Sequence, residues 1–167
     1  MDEIELTIIK KKIEDHEKRI SILENQLKDK KEMNITPSET GSNIERLASK
    51  LNISTDKLQE IYDIEKETLT VLKFAGEMNK EKTQNIALLT LLGYKYFFNQ
   101  EELLSQEIRR NVAENGVALN NFATYLNELA PSLVRRKGEM KSPKTTYKLT
   151  VLGESKAREL LKSIIGD

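Results

Sequence analysis

A chain of 167 residues with no Cys, one His and equal numbers of basic and acidic side chains has room for one ordinary domain or two small ones. That composition excludes a disulfide framework and any Cys or Cys/His zinc site, and a net charge of zero argues against indiscriminate nucleic-acid binding unless the charge is unevenly spread. Hydrophobic residues make up 38% and charged residues 32%, no apolar run is long enough to span a bilayer and no basic-then-apolar leader opens the chain, so a cytoplasmic protein with no membrane partner is expected.

Residues 1–33 read as a coiled-coil dimerisation helix. Leu6, Ile9, Ile13, His16, Ile20, Leu23, Leu27 and Lys30 follow alternating steps of three and four, the spacing of a coiled-coil seam. In that register Glu5 and Lys10, Lys12 and Glu17, and Arg19 and Glu24 are opposite-sign pairs between parallel strands. A parallel homodimer through residues 5–31 is therefore expected, with Leu6, Ile9, Ile13, His16, Ile20, Leu23 and Leu27 at its seam. His16 reads as a polar residue that fixes register, and a protonation-sensitive contact is the sharper alternative.

Residues 34–43, NITPSETGSN, have the composition of a flexible linker. Residues 44–78 then read as a small helical-hairpin module. Ile44, Leu47, Ala48 and Leu51 share one helical face, and Ser54 and Thr55 open a second helix carrying Leu58, Ile61 and Tyr62. The alternation of Leu69 and Val71 against Thr70, Leu72 and Phe74 predicts a short β-hairpin turning at Glu65-Lys66-Glu67. The helix pair also resembles the first half of a helix-turn-helix, but its outward Asp56, Lys57, Gln59 and Glu60 suit a structural adaptor better than a phosphate contact.

Residues 79–167 read as the main domain. A helix over 80–98 is apolar nearly all round in its second half, which predicts burial, with Gly93 permitting close packing. Leu103, Leu104, Ile108 and Val112 give a second helical stripe ending at Gly116, with Arg109 and Arg110 on its outer side. In the third helix, ALNNFATYLNEL, the residues Leu119, Phe122, Ala123, Leu126 and Leu129 face inward. Asn120, Asn121, Thr124 and Tyr125 fall outside that face, the first two suited to adenine and Thr124 to a thymine methyl group.

Pro131 stops this helix, and a strand, basic loop and strand follow, with Leu133 and Val134 apolar in the first and Tyr147, Leu149 and Val151 alternating in the second. Over residues 131–150 six basic side chains stand against Glu139 alone. Arg135, Arg136, Lys137, Lys141 and Lys144 are the candidate phosphate contacts, because cations that neutralise phosphates release counterions. A closing helix is expected to pack back through Leu152, Ala157, Leu160, Leu161 and Ile164.

Across residues 79–165 the order of elements, the Pro131 stop and the junction YKLT-x-x-GE-x-K resemble winged helix-turn-helix transcription regulators, particularly compact archaeal ones. The resemblance implies a mainly α fold with a small β wing, in which the third helix enters the major groove and the basic hairpin reaches the backbone. The expected function is a dimeric double-stranded DNA-binding protein, a transcription regulator or DNA organiser associated with the nucleoid. The alternative is a coiled-coil adaptor whose winged helix docks a protein partner. There is no phosphate-binding or dinucleotide glycine motif and no Ser–His pair near a pocket-forming segment, so catalysis, a cofactor and a metal are not expected.

Overall fold

A computed structural model describes residues 37–166 except Met140, Lys141 and Pro143. The expected seam residues from Leu6 to Leu27, and pairing through residues 5–31, lie outside the described residues. Among the described residues the fold is mainly α, with two small antiparallel sheets.

Helix α1 (Pro37–Leu51) begins inside the stretch expected to be a flexible linker, so residues 37–43 are helical instead. Proline suits the first turn of a helix, where its missing N–H is not needed and its φ is already set. A short α2 (Thr55–Gln59) follows, capped by the Ser54 hydroxyl accepting from the Lys57 amide at 3.4 Å. Strands β1 (Tyr62–Glu65) and β2 (Thr68–Val71) form the expected hairpin, with Glu65 opposite Thr68 and the turn confined to Lys66 and Glu67. Leu69 and Val71 are buried and Leu72 is exposed, as the alternation requires.

Helix α3 (Asn79–Phe97) is the element on which most others pack: α1, strand β2 of the hairpin, and three helices and one strand that follow it contact this helix. Its buried residues run from Thr83 to Phe97 and include Ile86, Leu89 and Leu92, so it is covered on every side in its second half. Gly93 is required by close approach, since a Cβ there would lie 2.5 Å from Cδ1 of Leu69 and 3.2 Å from the Tyr62 ring. The stretch 44–78, expected to be a separate small module, thus shares one hydrophobic core with the rest of the unit that begins at Pro37.

Next come β3 (Leu103–Leu104), α4 (Ser105–Glu114), α5 (Phe122–Leu129), β4 (Val134–Lys137), β5 (Thr146–Leu149) and α6 (Val151–Ile165). The three strands form a sheet in the order β3-β5-β4, antiparallel throughout. Leu103 and Leu104 were expected at the start of a helical stripe and instead pair with Tyr147 and Thr146. Two adjacent leucines fit either period, and pairing with a distant strand decides between them. Val151 was expected in the last strand and Leu152 in the core, yet both open α6, at 89% and 66% exposed. The reason is a cap: Thr150 Oγ1 accepts from the Gly153 amide at 3.0 Å, which ends the strand at Leu149.

Asn111, fully buried on α4, explains how the hairpin docks. Its side-chain carbonyl accepts from the Val71 amide at 2.8 Å and its Nδ2 donates to the Leu69 carbonyl at 2.8 Å. One turn on, Asn115 Nδ2 donates to the Val71 carbonyl at 2.8 Å. Two asparagines thus satisfy three backbone groups on the outer edge of β2, much as a third strand would.

Candidate nucleic-acid interface

The amino end of α3 positions α5. Asn79 Nδ2 donates to the Ala118 carbonyl at 2.9 Å while its Oδ1 accepts from the Ala118 amide at 3.1 Å, a two-way grip on the turn ahead of α5. Gln84 Nε2 donates to the Tyr125 carbonyl at 3.0 Å, and Lys80 pairs with Glu128 at 2.6 Å. That carboxylate raises the Lys80 pKa, chiefly through their hydrogen bond. Phe122, Leu126 and Leu129 are buried beneath, and Leu119 and Ala123 are partly covered.

The expected base-facing residues divide into two sets. Asn120 and Asn121 lie in the turn before α5 and not on the helix, which starts at Phe122. The grip of Asn79 on Ala118 fixes that turn in non-helical form, so residues 118–121 do not extend the helix backward. Asn120, Asn121 and Thr124 are exposed, and half-buried Tyr125 receives a hydrogen bond on its hydroxyl from Asn121 Nδ2 at 3.3 Å. Asn120, Asn121 and Thr124, but not Tyr125, line with Ser105, Gln106 and Arg109 of α4 a cleft of about 440 Å³ that Ser142 of the β4–β5 loop also borders. Gln106 and Ser105 were not singled out by sequence, because Leu103 and Leu104 placed the helix start too early.

The two arginines of α4 have different surroundings. Arg110 is tied inward, to Glu107 at 2.9 Å, Glu114 at 3.6 Å and the Tyr94 hydroxyl at 3.1 Å. Arg109 is exposed, with its guanidinium 5.8 Å from the Phe122 ring centroid and beside the cleft.

On the hairpin, Arg135, Arg136 and Lys137 are exposed along β4, and Lys144 is exposed in the loop; Lys141 lies outside the described residues. Arg136 Nη1 donates to Asn127 Oδ1 at 2.6 Å, which joins the hairpin to α5. The carboxylate opposing this basic set comes from outside the hairpin. Glu102 lies 3.8 Å from Lys137 Nζ and 3.9 Å from Lys148 Nζ, and accepts from the Thr146 hydroxyl at 3.4 Å. The hairpin loop is fixed by the Thr145 hydroxyl, which donates to the Glu139 carbonyl, and by the Ser142 amide, which donates to the same carbonyl at 3.1 Å.

Among the described residues no group of three or more His, Cys, Asp or Glu could hold a metal ion, and no helix is long and apolar enough to cross a membrane. No family model, curated protein or solved structure matches the chain.

Proposed function

We propose that the chain is a winged-helix protein that binds double-stranded DNA, as a transcription regulator or DNA organiser in the cytoplasm or on the nucleoid. Helix α5 and the turn before it would contact base edges, and the β4–β5 hairpin would act as the basic wing. The element order α3, β3, α4, α5, β4, β5 with β5 central supports this reading. The observation that carries it is a juxtaposition. Exposed Arg136, flanked on its strand by exposed Arg135 and Lys137, bonds across to Asn127 of α5, and Ser142 of the hairpin loop borders the same cleft as exposed Asn121 and Thr124. Asn and Thr can read A·T pairs in a major groove, while the basic strand meets phosphates. Arg109, Gln106 and Ser105 would add contacts at the start of α4.

Binding to random duplex DNA across a salt series tests this reading, with a variant in which Arg135, Arg136 and Lys137 are changed to Ala. The wild type should lose affinity steeply with salt, and the variant slope should be shallower by about 0.9 per lost phosphate contact. No binding at low salt would refute the proposal.

A second reading, a protein-docking adaptor, draws on the absence of Lys and Arg from α5 and on the exposure of Val151 and Leu152. An apolar protein contact hardly responds to salt, so the same series separates the two. Pairing through residues 5–31 would present two copies and favour a two-fold symmetric DNA site. Sedimentation as a monomer at high concentration would overturn that part.

A further inference from the structure

Outside the surface formed by α5 and the hairpin, a cleft of about 330 Å³ lies between α1, the carboxyl end of α3 and the start of α6. Its size is at the lower end of small-ligand sites, roughly 300–1,000 Å³. Four cations line it, Arg46 and Lys50 from α1, Lys95 from α3 and Arg158 from α6, against the two carboxylates Glu101 and Glu154.

The carboxylates answer this charge only on the side of Lys95 and Arg158, and Arg46 and Lys50 are left without one. Glu154 is already saturated: it accepts from Lys95 Nζ at 2.8 Å, from the Tyr96 hydroxyl at 2.6 Å and from the Arg158 guanidinium. Among the described residues Glu101 pairs only with Lys95, at 3.9 Å. Among the described residues Arg46 has neither an ion pair nor a hydrogen bond, and Lys50 has its ammonium 5.0 Å from the Tyr96 ring centroid with no carboxylate partner. Nε of Arg158 is buried without an acceptor. The negative end of a helix dipole accounts for Lys50 and Lys95, near the ends of α1 and α3, but not for Arg46.

We propose that this cleft binds a small phosphate-class oxyanion carrying more than one negative charge. Arg46 and Lys50 would hold it from one side and Lys95 and Arg158 from the other. An anion with several oxygens on one centre matches two guanidinium forks and two ammonium groups better than a single carboxylate does. Its binding would brace α1 against α3 and α6. The site stands apart from the DNA reading and shares no residue with it.

Calorimetric titration of the full chain with sodium pyrophosphate, at ionic strength held constant with sodium chloride, tests the site. Two variants accompany the wild type: Arg46→Ala with Lys50→Ala, and Arg135→Ala with Lys137→Ala, which lowers net charge by the same amount elsewhere. All four side chains are exposed, so both variants should keep the wild-type circular dichroism spectrum. The wild type should bind saturably, the first variant at least tenfold more weakly, and the second like the wild type. Absence of saturable binding overturns the proposal, as does an equal loss in both variants. A short duplex is then added to the pyrophosphate complex. Retention of pyrophosphate assigns the site to a free phosphate compound, and displacement that Arg46→Ala with Lys50→Ala abolishes assigns it to a backbone phosphate of DNA.

Discussion

Replacing Asn111 with Ala removes the side chain that completes the outer edge of β2. The Leu72 amide donates to the Ile61 carbonyl at 2.7 Å, and from that bond the ladder alternates. Asp63 with Thr70 and Glu65 with Thr68 therefore exchange hydrogen bonds, while Leu69 and Val71 direct their backbone groups outward, the Leu69 carbonyl and the Val71 amide to Asn111 and the Val71 carbonyl to Asn115. Leu69 and Val71 are themselves fully buried, so truncation strands one N–H and one C=O away from water. Each stranded group costs about 1–3 kcal/mol, so we expect a loss near 4 kcal/mol. Urea unfolding should show it as a lower midpoint with an unchanged m-value, because hairpin and helices share one core. Hydrogen exchange should find the Val71 amide deprotected most. A loss under about 1 kcal/mol, or a Val71 amide as protected as before, would refute the account of how the hairpin is held.

Three further outcomes are expected. Gly153→Ala would set a Cβ 1.8 Å from the Leu133 carbonyl oxygen, which only backbone movement relieves, whereas at Gly93 the nearest atom is the tip of Leu69. Thermal unfolding should give a cost of about 3 kcal/mol or more at Gly153 and about 1–2 kcal/mol at Gly93, and equal costs would contradict the packing described. Burial raises the pKa of Glu154, but hydrogen bonds from Lys95, Tyr96 and Arg158 outweigh it and hold the carboxyl at about 2. Its stabilisation, at most about 3 kcal/mol, is complete above about pH 4.5 and lost as pH falls toward 2. Glu154→Gln should flatten the stability profile in that window, and an unchanged slope there would sink the assignment. Finally, Glu102→Gln frees Lys137 and Lys148 from an exposed carboxylate, so affinity for random duplex at low salt should rise by no more than about fivefold. A fall would mean that Glu102 orients the hairpin instead of competing for its cations.

Local pattern was enough for the hairpin, for α3 and for the inward face of α5. In each, period-two or helical spacing coincided with the side that became buried, as with Leu69 and Val71 or with Phe122, Leu126 and Leu129. What sequence did not reveal depended on distant partners. Leu103 joins a sheet through Tyr147, and nothing near Leu103 announces that strand. Asn120 and Asn121 leave the helix because Asn79, from another helix, holds the turn. For Asn111 a signal existed: it and Asn115 lie three and seven residues beyond Ile108, on the helix's apolar stripe, where polar groups need buried partners. The cleft of Arg46, Lys50, Lys95 and Arg158 gathers three helices whose charges look like ordinary solvated faces one at a time.

The way α5 is held separates what keeps the helix in place from what it displays. Asn79, Gln84 and Lys80 secure it through backbone groups and Glu128, and Phe122, Leu126 and Leu129 anchor it below. Asn120 and Thr124 take no part in that anchoring, and Asn121 joins only through its bond to the Tyr125 hydroxyl. The displayed residues can therefore drift, or be randomised in a library, with little loss of stability. Surface substitutions of this kind cost within about 0.5 kcal/mol, so selection for a new binding preference would act on a surface that evolves almost independently of the fold beneath it.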